Sequence, residues 1–190
     1  MNKAGLALFA YFYFDFKDSS KRDIRGLISS ILAQLCDQSD QSWSILSQLY
    51  TDHRNGSDQP SEAELIQCLQ DILNIEGQSA TYIIMDAVDE CSNSSGIPSS
   101  REKVLNLVDD LVNSHPDLRI CVTSRPEQDI RMVLESLTCC NISLHDEGGQ
   151  KDDIVNFVRF VVRSDRTMRR WRLEDKELVI RTLTERANGM

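Results

Sequence analysis

The sequence is poor in positive charge: its 190 residues hold 21 Lys and Arg against 30 Asp and Glu, a net charge of −9. Nucleic-acid-binding domains present a basic surface, so this balance argues against a general affinity for nucleic acid. The longest largely apolar run, residues 4–14, is shorter than the roughly 20 residues that span a bilayer. It also continues into Asp15 without the small-residue cleavage site of a signal peptide. These absences predict a cytoplasmic protein that binds neither nucleic acid nor membrane.

Metal-binding and disulfide motifs are also absent. None of the six cysteines has C-x-x-C spacing, and their density is below that of a secreted disulfide scaffold. The three histidines have no metal-ligand spacing among themselves or with the cysteines, so no zinc site is predicted. We therefore expect buried free thiols in a reducing compartment.

Segments with strand-like and helix-like periodicity alternate along most of the chain. Strands are predicted at residues 6–16, 82–85, 119–123 and 139–144. Helices are predicted at 24–35, 42–53, from Ser61 to the turn at Gly77, and at 101–114, 128–137, 151–163 and 173–187. Within the second helix we expect Trp43, Leu46, Leu49 and Tyr50 to point inward, and the third is expected to begin with a capping box of Ser61 and Glu64. The alternation predicts α/β architecture with right-handed crossovers.

An acidic cluster follows one of these strands directly. Residues 82–85 are apolar or aromatic, which predicts a strand buried on both faces in a parallel sheet, and Asp86, Asp89 and Glu90 follow it. Ligands of open α/β sheets bind outside the carboxyl ends of strands. Clustered carboxylates repel one another unless a cation neutralises them, and Mg²⁺ carrying nucleotide phosphates is a common solution. The strand at 119–123 likewise runs into the polar residues Ser124 and Arg125.

Three stretches together resemble a known family: the aromatic strand at 7–16, Y-I-I-M-D-A-V-D-E-C at 82–91, and V-T-S-R-P-E at 122–127. They are similar to fungal NACHT-type P-loop NTPase domains of the STAND class, in the form related to the nephrocystin-3 N-terminal region. The resemblance covers nearly the whole chain. It implies a truncated NACHT core with strands 2 to 5 over residues 1–150, and the start of a helical subdomain over 151–190.

The resemblance also assigns roles to individual residues. Asp86 would hold Mg²⁺, and the catalytic residues Asp89 and Glu90 would orient the attacking water, since phosphoryl transfer depends on positioning and charge stabilisation. Thr123, Ser124 and Arg125 would bind the nucleotide at its γ-phosphate, where the planar fork of arginine can hold two oxygens. The implied cofactors are Mg²⁺ and ATP or GTP.

The sequence departs from that family in one respect. It contains no G-x-x-x-x-G-K-[ST] phosphate-binding loop, which in the family lies just upstream of the aromatic strand. We therefore expect an α/β, partial P-loop NTPase three-layer fold, with a mostly parallel sheet that lacks its first, central strand and is followed by helices. The family's strand order of 5-1-4-3-2 would leave a gap beside 119–123. The strand at 139–144 would then either close onto 119–123 or detach, in a chain of marginal stability.

The implied function is an NTP-binding and NTP-hydrolysing regulatory switch of a STAND-type signalling protein, impaired here by the missing loop. Its partners would be nucleotide, further copies of itself, or repeat domains of the same longer protein. The residues leave two alternatives open. One is a catalytically silent α/β scaffold or protein-interaction module. The other, a receiver-type phosphoacceptor domain, ranks last because no lysine follows the last predicted strand before Lys151.

Overall fold

The computed structural model describes residues 7–93, 96–143 and 148–186. The chain divides into two compact units, Met1–Thr138 and Cys139–Met190. The first unit contains the strands β1 (Leu8–Tyr13), β2 (Thr81–Asp86) and β3 (Leu118–Val122). Its helices are α1 (Ile24–Cys36), α2 (Asp40–Asp52), α3 (Glu62–Leu73), α4 (Ser100–Ser114) and α5 (Gln128–Leu137). The second contains α6 (Gly148–Ser164) and α7 (Leu173–Arg186). The predicted domain boundary at residue 150 stays a prediction.

The three strands form one parallel sheet in the order β1-β2-β3. In its central row, Ala10 lies opposite Ile83, which lies opposite Ile120. The predicted mixed α/β class and parallel sheet are confirmed. The predicted strand at 139–144 is wrong over residues 139–143, which carry no regular structure and are all exposed; residue 144 lies outside the described residues. Asn141 is of a type depleted in strands, and a short apolar segment forms a strand only with a partner strand and a covered face.

Helices cover one face of this sheet. The face containing Leu8, Ala10, Phe12, Ile83 and Met85 is buried, and α1 packs on β1 while α4 packs on β3. Successive parallel strands added in one direction by right-handed crossovers put every connecting helix on the same side. On the other face, side chains remain accessible.

The expectation that residues 82–85 are buried on both faces is therefore wrong. Tyr82 is 44% exposed, and Ile84 is half-buried. Phe9, Tyr11 and Tyr13 share this face on β1 and are exposed too, with neighbouring ring centroids 6.2 and 5.5 Å apart. Apolar residue type identified the strands correctly, but the depth of burial depended on which elements cover each face.

Of the predictions made for individual helix residues, the capping box of α3 is confirmed and the inward face of α2 is confirmed in part. The capping box of α3 is present: the Glu64 amide donates to Ser61 Oγ at 3.3 Å, and the Ser61 amide donates to Glu64 Oε2 at 2.7 Å. In α2, however, Trp43 is 61% exposed, and Tyr50 is exposed as well. Leu46 and Leu49, also predicted to point inward, do pack against the core, together with the buried Ser42. The prediction for α2 is therefore correct for the two leucines and wrong for the two aromatic residues.

The cysteines divide into two groups. Cys36, Cys68 and Cys91 are buried free thiols, as expected, and burial raises their pKa values to about 11, 11 and 12. Cys121, Cys139 and Cys140 are free but exposed, so the expectation of buried thiols is wrong for them.

In the second unit, α6 and α7 pack against each other. Their contact buries Val162 and Ile180 and includes an ion pair of 3.1 Å between Arg163 Nη2 and Glu177 Oε1. No helix in the described part of the chain is long and apolar enough to cross a membrane.

Candidate functional site

Asp86 and Thr123 lie side by side at the carboxyl ends of β2 and β3. The Thr123 hydroxyl donates to Asp86 Oδ1 at 2.5 Å and accepts a hydrogen bond from the Ala87 amide at 3.0 Å. Beyond the strands, the Thr123 amide donates to the Met85 oxygen at 2.9 Å, and the Val88 amide donates to the Thr123 oxygen at 3.0 Å. Thr123 thus holds the start of the acidic segment in place through both main chain and side chain.

Ala87 turns the chain sharply after β2. Its φ of 56° and ψ of 49° lie in the left-handed region, which costs a residue with a Cβ free energy relative to glycine. The turn leads into a short 3₁₀ helix, Val88–Glu90, in which Val88 is buried in the core. Because the buried Val88 side chain anchors this turn, the main chain of Asp89 and Glu90 is held in one position.

Asp89 holds the loop that follows β3. Its side chain is only 7% exposed; Oδ1 accepts from the Arg125 amide at 3.0 Å, and Oδ2 lies 3.5 Å from Arg125 Nε. The Arg125 side chain is 75% exposed, so its guanidinium is accessible from solvent. A nearly buried carboxylate therefore positions an exposed cation.

Glu90 connects the acidic turn to the segment after β1. Its Oε2 accepts a hydrogen bond from the Phe16 amide at 3.3 Å. Ser124 Oγ donates to the Arg125 oxygen at 2.7 Å, which is a local contact. The turns after all three strands are therefore linked by polar contacts at one edge of the sheet.

Arg101 is a functional candidate that sequence reasoning missed. It lies in the first turn of α4 and is 6% exposed. Nη2 donates to the Asp89 oxygen at 2.5 Å, Nε to the Cys91 oxygen at 3.3 Å, and Nη1 contacts the carboxylates of Glu127 and Asp129. Burial by itself would lower the pKa of Arg101, but the bonds and charges of Glu127 and Asp129 outweigh it and raise that pKa.

One sequence signal could have identified Arg101. The residue follows the N-cap Ser99 by two positions, where the helix dipole disfavours a cation. A cation at such a position indicates carboxylates contributed by another part of the chain.

A cleft of about 380 Å³ opens beside this network. It is lined by Phe16, Arg22, Asp89, Glu90, Cys91, Ser92, Arg125 and Glu127. Three of the six predicted site residues, Asp89, Glu90 and Arg125, therefore lie together in its wall. Asp86 and Thr123 pair with each other outside the lining, and Ser124 does not line it either. The volume is at the lower end of the range typical of small-molecule sites.

The donor set determines which metal the site could hold. Within the described ranges, no group of three or more His, Cys, Asp or Glu side chains is arranged to hold a metal ion. Mg²⁺ needs fewer protein ligands, since it keeps several waters and is commonly bound by one or two carboxylates together with substrate phosphates. Asp86 fits that requirement because the one hydrogen bond described for its carboxylate engages Oδ1.

The geometry defines a class of protein: a parallel α/β domain whose polar groups gather at the carboxyl ends of neighbouring strands. The sequence profile of the family described as nephrocystin 3, N-terminal matches residues 2–125, well over half of the chain. The chain belongs to that family. No curated protein and no solved structure matches it significantly. The matched range contains all six predicted site residues.

Proposed function

We propose that this chain is the NTP-binding and NTP-hydrolysing regulatory module of a STAND-type signalling protein of the NACHT kind, acting in the cytoplasm of a fungus. One observation carries the proposal: the Asp86 and Thr123 pair lies beside the Asp89 and Arg125 pair, at the edge of the sheet where open α/β folds bind ligands. Family membership supports it at a coarser level.

In this proposal each group has a distinct role. Asp86 would bind Mg²⁺, which when bound would neutralise the charge of the nucleotide phosphates. Asp89 and Glu90 would position the attacking water. Arg125, with Thr123 and Ser124, would bind the terminal phosphate, and the exposure of the Arg125 guanidinium leaves it accessible to an anion. To contact the phosphate, the Arg125 guanidinium would have to break its ion pair with Asp89 or bind both groups at once. Nucleotide binding would then be linked to the position of the loop after β3.

Phosphate binding would be weak in these 190 residues alone. They contain no G-x-x-x-x-G-K-[ST] segment, whose backbone amides and lysine bind phosphates in P-loop proteins. The module would therefore work with residues of a longer protein, and its partners would be nucleotide, further copies of itself, or repeat domains of that protein.

Calorimetric titration of the full-length natural protein with ATP and with GTP, with and without Mg²⁺, tests the proposal. Asp86→Asn should abolish the Mg²⁺-dependent part of binding. Asp110→Asn is the matched control, because Asp110 is an exposed aspartate in α4, and it should bind like the wild type. Equal affinity and equal Mg²⁺ dependence in all three proteins would defeat the assignment.

A second candidate, a catalytically silent scaffold, is favoured by one specific observation. Both oxygens of Asp89 already contact Arg125, and Glu90 accepts from a main-chain amide, so these acids also serve as structural links. The silent scaffold predicts that the full-length wild type shows no nucleotide-dependent heat at all. The same titration therefore separates the two functions.

A further inference from the structure

Gln34 of α1 and Gln38, two residues beyond the end of that helix, make paired hydrogen bonds to the outer edge of β1. The Phe9 amide donates to Gln38 Oε1 at 3.0 Å, and Gln38 Nε2 donates to the Phe9 oxygen at 2.7 Å. The Tyr11 amide donates to Gln34 Oε1 at 3.1 Å, and Gln34 Nε2 donates to the Tyr11 oxygen at 2.8 Å. Each side-chain amide thus pairs with β1 as the peptide groups of a neighbouring strand would.

The spacing of the two elements makes this pairing possible. The C-cap Asp37 keeps right-handed helical angles, so Gln34 and Gln38 are spaced much as residues four apart on a helix, about 6 Å along its axis. Residues two apart on a strand are separated by nearly 7 Å. Gln38 pairs with the earlier strand residue, Phe9, and Gln34 with the later one, Tyr11, so α1 runs antiparallel to β1. Phe9 and Tyr11 are the residues whose peptide groups face away from β2, since the Leu8 amide donates toward it, to the Ala80 oxygen.

The strand covered in this way is prone to association. Residues 8–14 read LFAYFYF, with no charge, proline or glycine. Uncharged segments of six or seven residues with high β-propensity and without proline are typical of strands that stack with copies of themselves. Unpaired edges are where such stacking begins, and proteins often cover or charge them.

We propose that Gln34 and Gln38 form a side-chain latch that keeps the outer edge of β1 from pairing with β1 of a second copy of the chain. We take the occupant to be a second copy because residues 8–14 are uncharged, so two copies do not repel each other, and because Phe9, Tyr11 and Tyr13 form an exposed aromatic row that a second copy can extend. With the latch in place, the peptide groups of Phe9 and Tyr11 are already paired, and a second strand gains no hydrogen bonds there.

Sedimentation velocity of the 190-residue chain over a concentration series tests the latch. The double variant Gln34→Ala/Gln38→Ala should associate at a roughly tenfold lower concentration than the wild type, which corresponds to about 1.4 kcal/mol in association. The control is Gln48→Ala/Gln67→Ala, because the hydrogen bonds described for these exposed helix glutamines are local, to Asp52 and Asp71 four residues on. Association of the latch variant that is indistinguishable from the wild type and control would overturn the proposal.

Hydrogen exchange locates the contact. In the associated latch variant, the amides of Phe9 and Tyr11 should exchange slowly, and on dilution they should exchange fast. Association with these amides still exchanging fast would mean that the chains meet elsewhere, and the proposal would fail.

A charged double variant separates an open edge from simple loss of stability. In Gln34→Glu/Gln38→Glu, the carboxylates can accept from the two strand amides but cannot donate to the two strand oxygens, and they add negative charge at the edge. We expect this variant to be destabilised yet monomeric. If it associates as readily as the alanine variant, destabilisation explains the association and the latch proposal is wrong.

Discussion

Arg101 Nη2 donates to the main-chain oxygen of Asp89 at 2.5 Å, which joins a buried cation to the turn that presents the acidic cluster. The same guanidinium reaches Glu127 and Asp129 at the start of α5. A single side chain therefore connects the turn after β2 with the segment that follows β3. Arg101 does not line the cleft, but it contacts Asp89 and Glu127, which do.

Arg101→Met should destabilise the first unit by about 2–4 kcal/mol, because it keeps the aliphatic bulk but leaves two main-chain oxygens and two carboxylates without their cation. Urea unfolding followed by circular dichroism measures the change. Arg131→Met is the control: Arg131 is exposed, the ion pair described for it is with Glu135, four residues on, and surface pairs of this kind contribute about 0.5 kcal/mol or less. Equal losses in the two variants would contradict the role given to Arg101.

Ala87→Gly should raise the free energy of unfolding slightly, by about 0.5 kcal/mol. Glycine relieves the left-handed strain at φ 56°, worth about 1–2 kcal/mol, but it also increases the entropy of the unfolded chain by about 0.5–1 kcal/mol. Ala33→Gly, at an exposed position within α1, should instead cost about 1 kcal/mol. A denaturant titration measures the unfolding free energy of both variants, which should change in opposite directions. If Ala87→Gly loses as much unfolding free energy as Ala33→Gly, the backbone at Ala87 is not strained.

His115 should make stability fall in mild acid. The ring is buried, its nitrogens have no hydrogen-bond partner among the described residues, and burial lowers its pKa. The folded pKa thus lies below the unfolded value of about 6.5, so the unfolded chain binds more protons below that pH. Stability should be greatest above about pH 6.5 and decline as the pH falls toward the folded pKa.

His115→Leu removes this titration and should flatten the dependence of the unfolding free energy on pH between about 5 and 7. His53→Gln is the control for general effects of losing a histidine, since His53 is paired with Glu64 at 3.3 Å. A pH dependence in His115→Leu that matches the wild type would show that other groups are responsible.

Local patterns predicted much of the fold. The apolar spacing of α1 and the capping box of α3 depend on residues three and four positions apart, and both are present as predicted. The parallel sheet followed from the alternation of strands and helices. Predictions that required knowledge of neighbours were less accurate: Trp43 is exposed, Tyr82 lies on an uncovered face, and residues 139–143 form no strand.

The candidate site shows the same division. Asp86, Asp89 and Glu90 could be recognised because a polar cluster directly follows an apolar run, and Arg125 because it follows another. The signal at Arg101, a cation in the first turn of a helix, was weaker and did not indicate its partners, because Glu127 and Asp129 are 26 and 28 residues away along the chain.

Residue order alone therefore specified the α/β class, most helices and the acidic strand end, because helix and strand periodicity is a property of nearby residues. Only the folded chain decided that one sheet face stays accessible in the described residues, that Thr123 hydrogen-bonds to Asp86, that Arg101 connects the segments after β2 and β3, and that Gln34 and Gln38 pair with the edge of β1. Those contacts join residues far apart in sequence, and their partners are set by strand order, register and the side on which each helix packs.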